Sequence, residues 1–162
     1  MKTNIKYFSR LSDSENKIIK LNELYEVSKK VEFDYPNHYE WFYNKFVKEL
    51  DAIKREIIYY EINKKPVGVA FLKNTEEEKK ICTIIVKEEY QKKGIGTLLL
   101  ECSFEFLGTR QPLISMPEYK LGVFSKIIEK NNWQIFETID SLYSNNKEFV
   151  FNGYLKMKDK IK

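Results

Sequence analysis

Apolar positions recur near helical spacing early in the chain. In SENKIIKLNELYEVSKKV they fall at Ile18, Leu21, Leu24, Tyr25 and Val31, and predict a first helix capped by Ser12, Asp13 or Ser14. A short strand is expected before it, near Ile5 to Ser9. FDYPNHYEWFYNKFVKEL opens on a proline break and carries Trp41, Phe42, Phe46 and Val47 in a second helical pattern, with Tyr35 extended before Pro36. From Arg55 the texture changes to β-rich runs. EIIYYEI and VGVAFLK, joined by the polar NKKP, read as an antiparallel pair, and KICTIIV, Lys80 to Val86, as a third strand of the same meander.

Helical spacing returns at Ile95, Leu98, Leu99, Cys102 and Phe106, and Gly108 stands where that helix would stop. PLISM reads as a short strand. EYKLGVFSKIIEKNNW reads as a helix with Leu121, Phe124, Ile127 and Ile128 inward, and WQIFETI and KEFVFNGYL as a closing strand pair around SLYSNNK. No repeat, low-complexity tract or Gly/Ser linker interrupts this order, so residues 1–162 are expected to form a single domain.

Composition narrows the class. With 43% hydrophobic residues, eleven Tyr, eleven Phe and two Trp, the chain can fill a core, and 32% charged residues give it a soluble surface. The N-terminus lacks the apolar core of a signal peptide, and no segment approaches the roughly 20 apolar residues of a membrane span. A cytoplasmic protein without membrane partners is expected. Cys82 and Cys102 lie in apolar surroundings without metal-ligand spacing and read as small reduced core residues, so no metal is expected. The net charge of +4 is spread over interleaved Lys and Glu. It leaves a basic nucleic-acid-associated domain as an alternative, without the basic stripe such domains usually show.

The chemistry concentrates in EEYQKKGIGTLLL. A strand ending at Val86, a basic loop and a helix opening at Gly94 expose unpaired amides at the positive end of a helix, where phosphate is attracted. Gly94 and Gly96 carry no Cβ, so a ligand can lie against those amides, and Lys92 and Lys93 add charge. The Walker pattern needs four residues between its glycines and then Lys and Ser/Thr; only one residue lies between these, and Leu98 follows Thr97. The dinucleotide fingerprint needs a third small residue where Leu99 stands.

QKKGIG resembles the signature of the GNAT superfamily of N-acetyltransferases: Gln or Arg, two residues, Gly, one residue, then Gly or Ala. Gln91, Gly94 and Gly96 take the defining positions, and the order of elements extends the resemblance to nearly the whole chain. It implies an α/β fold of α+β type, a mixed, mostly antiparallel, splayed central sheet flanked by helices. It also implies acetyl-CoA as co-substrate. The pantetheine arm would pair with the backbone around Ile84 and Val86, and the pyrophosphate would rest on the loop and helix start through Gln91, Lys92, Lys93, Gly94, Ile95, Gly96 and Thr97. A primary amine would attack directly in a ternary complex, with a backbone amide near Ile84 as the oxyanion donor.

The chain departs from the family at its acid and base. The Tyr that many members carry four residues before a Gly-Phe pair is Ile128 here, if Asn132 and Trp133 match that pair. The Glu that some members place on the fourth strand is Lys80. Ser115, Glu118, Tyr119 and Tyr143 stand as weak catalytic candidates, each read more readily as a surface, cap or packing residue. His38, the single histidine, reads as a helix-start or aromatic-packing residue. By resemblance, Phe33 to His38 and Ser141 to Lys147 would border the acceptor: a small amine, a protein amine or an aminoacyl-tRNA. A homodimer is compatible with this reading, and a CoA-binding sensor without catalysis is its main rival.

Overall fold

The computed structural model describes residues 2–12, 16–50, 54–143 and 145–156. Strand β1 (Ile5–Tyr7) is followed by helix α1 (Lys17–Ser28), which ends in a 3-10 stretch from Lys29 to Phe33. Helix α2 (His38–Trp41) continues through a π-wound segment, Phe42–Phe46, into a 3-10 turn, Val47–Glu49. Strands β2 (Arg55–Ile62), β3 (Lys65–Asn74) and β4 (Lys79–Val86) lead to helix α3 (Ile95–Leu107). Strand β5 (Ile114–Pro117), helix α4 (Leu121–Lys130) and strands β6 (Ile135–Ile139) and β7 (Glu148–Phe151) complete the order.

The strands form two sheets, β1-β2-β3-β4 and β5-β7-β6, with every strand pair inside them antiparallel. β2 and β3 turn on Asn63 (φ 52°) and Lys64 (φ 64°), the two left-handed residues that a tight hairpin matched to strand twist requires. Both faces of the larger sheet are covered, which is why β2 and β3 read as nearly unbroken apolar runs. Ile57, Tyr59, Val69 and Phe71 face α1 and α2, where they meet Leu24, Tyr25, Phe42 and Phe46. The alternate residues Ile58, Ala70 and Leu72 face α3, against Leu99 and Phe104. Gly68 lets α3 lie close: a Cβ there would stand 3.0 Å from Leu99 Cδ1 and 3.3 Å from Ile95 Cγ2.

Several expectations need correcting. Asn16 caps α1, its side-chain oxygen accepting from Ile19 N at 3.0 Å; Asp13 and Ser14 lie outside the described residues, and Ser12 lies well before the helix start. Ile18 is 73% exposed, because α1 buries the stripe through Leu24, Tyr25, Val27 and Ser28 instead. Val31 is buried in the 3-10 stretch rather than in the helix. The second helical pattern is not one regular α-helix; its π-wound part keeps both Phe42 and Phe46 against Phe71, at ring distances of 5.2 and 5.3 Å. The inward residues of α4 are only partly buried, and Tyr39 of the aromatic cluster is 53% exposed. Neither cysteine is fully buried.

Candidate active site

The two sheets touch at one point and then part. Ile81 N donates to Leu113 O at 3.0 Å and Leu113 N donates to Lys79 O at 2.8 Å, a single parallel bridge between β4 and the residue just before β5. Beyond it β4 has no strand partner on that edge among the described residues. In antiparallel pairing, alternate residues turn their N–H and C=O toward a given neighbour. The register slips between Phe71 and Leu72 of β3, so Cys82 is an extra residue in β4. That bulge changes the parity of the edge. Ile81 faces β5 before the bulge, whereas after it Ile84 and Val86 do, with Thr83 and Ile85 turned to β3. Alternation along β5 from Leu113 likewise turns the Ser115 backbone into the gap.

At the end of β4 the loop is drawn back by Gln91, whose side-chain amide donates to Val86 O at 2.9 Å. The Ile84 backbone and Val86 N–H thus hold the open edge, while Val86 O is engaged. Positive φ at Lys92 (60°) and Gly94 (85°) curls the chain into α3. The helical ladder begins with Leu98 N donating to Gly94 O at 3.1 Å, so the amides of Ile95, Gly96 and Thr97 have no helical acceptor. The Ile95 side chain is buried, so only its backbone can serve a ligand, whereas Gln91, Lys92, Lys93 and Thr97 are exposed. The two glycines do different things. Gly94 is needed for its left-handed turn, but a Cβ on Gly96 would meet only Val86 Cγ2, at an ordinary 3.8 Å. Nothing in the chain itself requires Gly96 to lack a side chain.

Two cavities meet at the divergence of β4 and β5. The smaller runs between them to Met116 and Phe124; the larger, about 110 Å³, lies under the segment joining α1 to α2. Tyr35, Cys82, Thr83 and Ser115 line both. Tyr35, Pro36, Asn37 and His38 come from one anticipated segment and Tyr143 from the other, so both reach the larger cavity. Tyr35 and Tyr143 meet edge to face at 4.9 Å.

Of the four catalytic candidates, Ser115 and Tyr143 lie on the cavity wall, whereas Glu118 is exposed and lines neither cavity. Tyr119, 57% exposed, donates its hydroxyl to Asp34, and partial burial together with that carboxylate pushes its pKa up to about 12. Behind the wall is a carboxylate that no spacing motif revealed. Glu148, on β7, is buried and accepts from both Tyr35 Oη and Ser115 Oγ at 2.8 Å on one oxygen. Burial raises its pKa, while the hydrogen bonds from Ser115 and Tyr35 oppose the shift. The only sequence signal for it was a charged residue opening the apolar run EFVF. His38 stacks on Trp41 and Phe71 and shares a 2.8 Å hydrogen bond with Ser28 Oγ; burial lowers its pKa to about 4, which leaves it neutral at physiological pH. Asn132 takes a left-handed φ of 54°, and Trp133 is buried beside it.

The family model of the acetyltransferase (GNAT) domain matches residues 54–143, from the start of β2 through Tyr143. The chain belongs to the GNAT acetyltransferase family. Solved GNAT structures carry the same fold. An acetyltransferase of the GNAT family from Desulfovibrio desulfuricans aligns with a TM-score of 0.66 at 13% identity, covering 91% of this chain and 96% of that one. The ribosomal-protein-S18-alanine N-acetyltransferase of Escherichia coli aligns with 0.64 at 14% identity over 91% of both chains. The PaiA N-acetyltransferase of Thermoplasma acidophilum, solved with coenzyme A, gives 0.61 at 18% identity, over 91% and 96%. No curated protein sequence matches the chain. Among the described residues no helix is long and apolar enough to cross a membrane, and no three His, Cys, Asp or Glu side chains cluster to share a metal ion.

Proposed function

We propose that the chain, acting as one GNAT domain, moves an acetyl group from acetyl-CoA to a primary amine by direct attack in a ternary complex. The observation that carries this reading is the parting of β4 from β5 beside a helix start whose Gly96 leaves its amides uncovered. The Ile84 and Ser115 backbones offer a peptide-like arm the hydrogen bonds a missing strand would make. The amides from Ile95 to Thr97, with Lys92 and Lys93, suit a pyrophosphate. Gln91 serves by clipping the loop to Val86 O.

When bound, acetyl-CoA supplies an activated thioester, so this chain's residues need chiefly to position the amine and move protons. Ile84 N–H, free on the β4 edge, is placed to donate to a developing oxyanion. Ser115 Oγ faces the shared part of the two cavities and already donates to Glu148. A proton leaving the amine passes to Ser115 Oγ as the serine proton passes to the Glu148 carboxylate, with Tyr35 holding that carboxylate in place. A carboxyl pKa raised by burial suits it to accept.

The test is a melting-temperature titration with acetyl-CoA, combined with release of free CoA thiol in the presence of amines. A saturable rise with amine-dependent thiol release is expected. A saturable rise with no release across a broad amine panel would favour a CoA-binding sensor, and the absence of any rise would end both readings.

A further inference from the structure

One wall of the larger cavity carries a row of cations. In the strand register Arg55 lies opposite Lys73 and Lys73 opposite Lys80, so three positive side chains stand in one row across β2, β3 and β4, on one face of the sheet. All three line the cavity, as do Glu78 and, from the π-wound segment, Lys45. Like charges directly across strands destabilise a sheet unless something compensates them. Two are compensated: Arg55 Nε donates to Glu49 Oε2 at 3.0 Å, and Lys73 Nζ lies 2.8 Å from Glu78 Oε1. Lys80 has no ion pair among the described residues, so the row keeps a net positive charge. The neighbouring His38 is neutral and adds none.

Another part of the same lining has the reverse polarity. There Tyr35 and Ser115 line the wall, and both donate to the buried Glu148 behind it. Tyr35 and Ser115 also line the cavity between β4 and β5, where the thioester would lie in the acetyl-transfer reading, on which this inference rests. The cavity lining therefore combines hydroxyls backed by a carboxylate with a separate row of cations. A polycationic amine would have to place its second charge against Lys80.

We propose that the acceptor is a small amine that also carries an anionic group, a carboxylate or a phosphate. The Arg55–Lys73–Lys80 row holds the anion, and the amino group lies against Tyr35 and Ser115. Lys80 is the residue that sets this preference, because it is the member of the row left without a carboxylate.

The experiment measures thiol release from acetyl-CoA by the full chain with matched amines. These are O-phosphoethanolamine against ethanolamine, β-alanine against propylamine, the common L-amino acids, and spermidine. At least one anion-bearing amine should exceed its neutral match and spermidine by tenfold or more in kcat/KM, and the phosphate and carboxylate arms show which anion is used. Lys80→Glu should lower that kcat/KM tenfold or more, mainly through KM, and Lys80→Gln by less, while the acetyl-CoA melting shift persists in both. Preference for neutral or polycationic amines, no reaction with any anion-bearing amine despite an intact acetyl-CoA shift, or an unchanged preference in Lys80→Glu would each overturn the inference. Loss of the acetyl-CoA shift in the unaltered protein would instead overturn the cofactor reading beneath it.

Discussion

Gly96→Leu separates what the fold needs from what the cofactor needs. In the free chain a Cβ at this position would have a single neighbour, Val86 Cγ2 at 3.8 Å, so the substitution creates no clash at its base. Leu is also a better helix former than Gly by about 0.8 kcal/mol, and position 96 is the second residue of α3. The free variant should therefore melt no lower than the parent and up to about 3 °C higher, at about 2–4 °C per kcal/mol for a chain of this size. Acetyl-CoA at about 100 times its Kd would stabilise the parent by about 2.7 kcal/mol, or about 5–11 °C. If the new side chain displaces the pyrophosphate and weakens binding about 100-fold, the same concentration yields about 0.4 kcal/mol, about 1 °C. Differential scanning fluorimetry with and without acetyl-CoA reads both quantities. A free variant that melts well below the parent would show Gly96 to be structural. A ligand shift kept at its full size would refute placement of the pyrophosphate on this helix start.

Other consequences follow from the same geometry. Glu148→Gln keeps an acceptor for Tyr35 and Ser115 but removes the charge, and turnover should fall about 100-fold or more with the acetyl-CoA shift retained; an unchanged rate would remove Glu148 from the proton path. Burial raises the folded pKa of Glu148 above its ordinary 4.5, so its contribution to stability is full below that value and is lost as pH rises through the folded pKa. The glutamine variant should accordingly be at least as stable as the parent at pH 7, with its advantage disappearing below about pH 4.5 in thermal melts across pH. Gly68→Ala forces a Cβ to within 3.0 Å of Leu99 Cδ1 and 3.3 Å of Val86 Cγ2, and should cost about 1–3 kcal/mol, read as a lower urea midpoint at unchanged slope. Asn132→Val places a β-branched residue at φ 54° and should cost about 1–2 kcal/mol, whereas Asn132→Gly should lose nothing in the same urea titration.

The elements that could be read from sequence are those whose signal is local. β2 and β3 announce themselves by β-branched and aromatic runs around a two-residue turn, and α3 by its spacing between Gly94 and Gly108. The α1 boundary was less legible, because several polar residues precede it and only the fold decides that Asn16 reaches Ile19 N. The π winding after Trp41 was hidden for a similar reason: the aromatic spacing is nearly helical, and contact with Phe71 selects the wider turn. In the candidate site, the loop proposed to hold the pyrophosphate stands out in the sequence because its residues are contiguous. Glu148 was not, since its partners Tyr35 and Ser115 lie 113 and 33 residues away. The cation row was equally hidden, because Arg55, Lys73 and Lys80 become neighbours only through strand register.

Cys82 links these features. The extra residue it adds to β4 sits between the two halves of the site, after the only bridge to β5 among the described residues and before the open edge. Without the bulge, Thr83 and Ile85 would inherit the outward parity of Ile81, and Ile84 N–H would be spent on β3. With it, Lys80 stays in register with Lys73 on the acceptor side while Ile84 turns toward the gap. The bulge thus lets one strand belong to two binding surfaces: its first residues complete a charged wall across the sheet, and its last residues act as the unpaired edge of a split. Arg55 Nη1 approaches Cys82 Sγ at 3.3 Å, placing the cation row beside the point where the edge changes parity. If acceptor and cofactor sit as proposed, charge selection and cofactor pairing are coupled through the register of one strand, and changes in that register should disturb both at once.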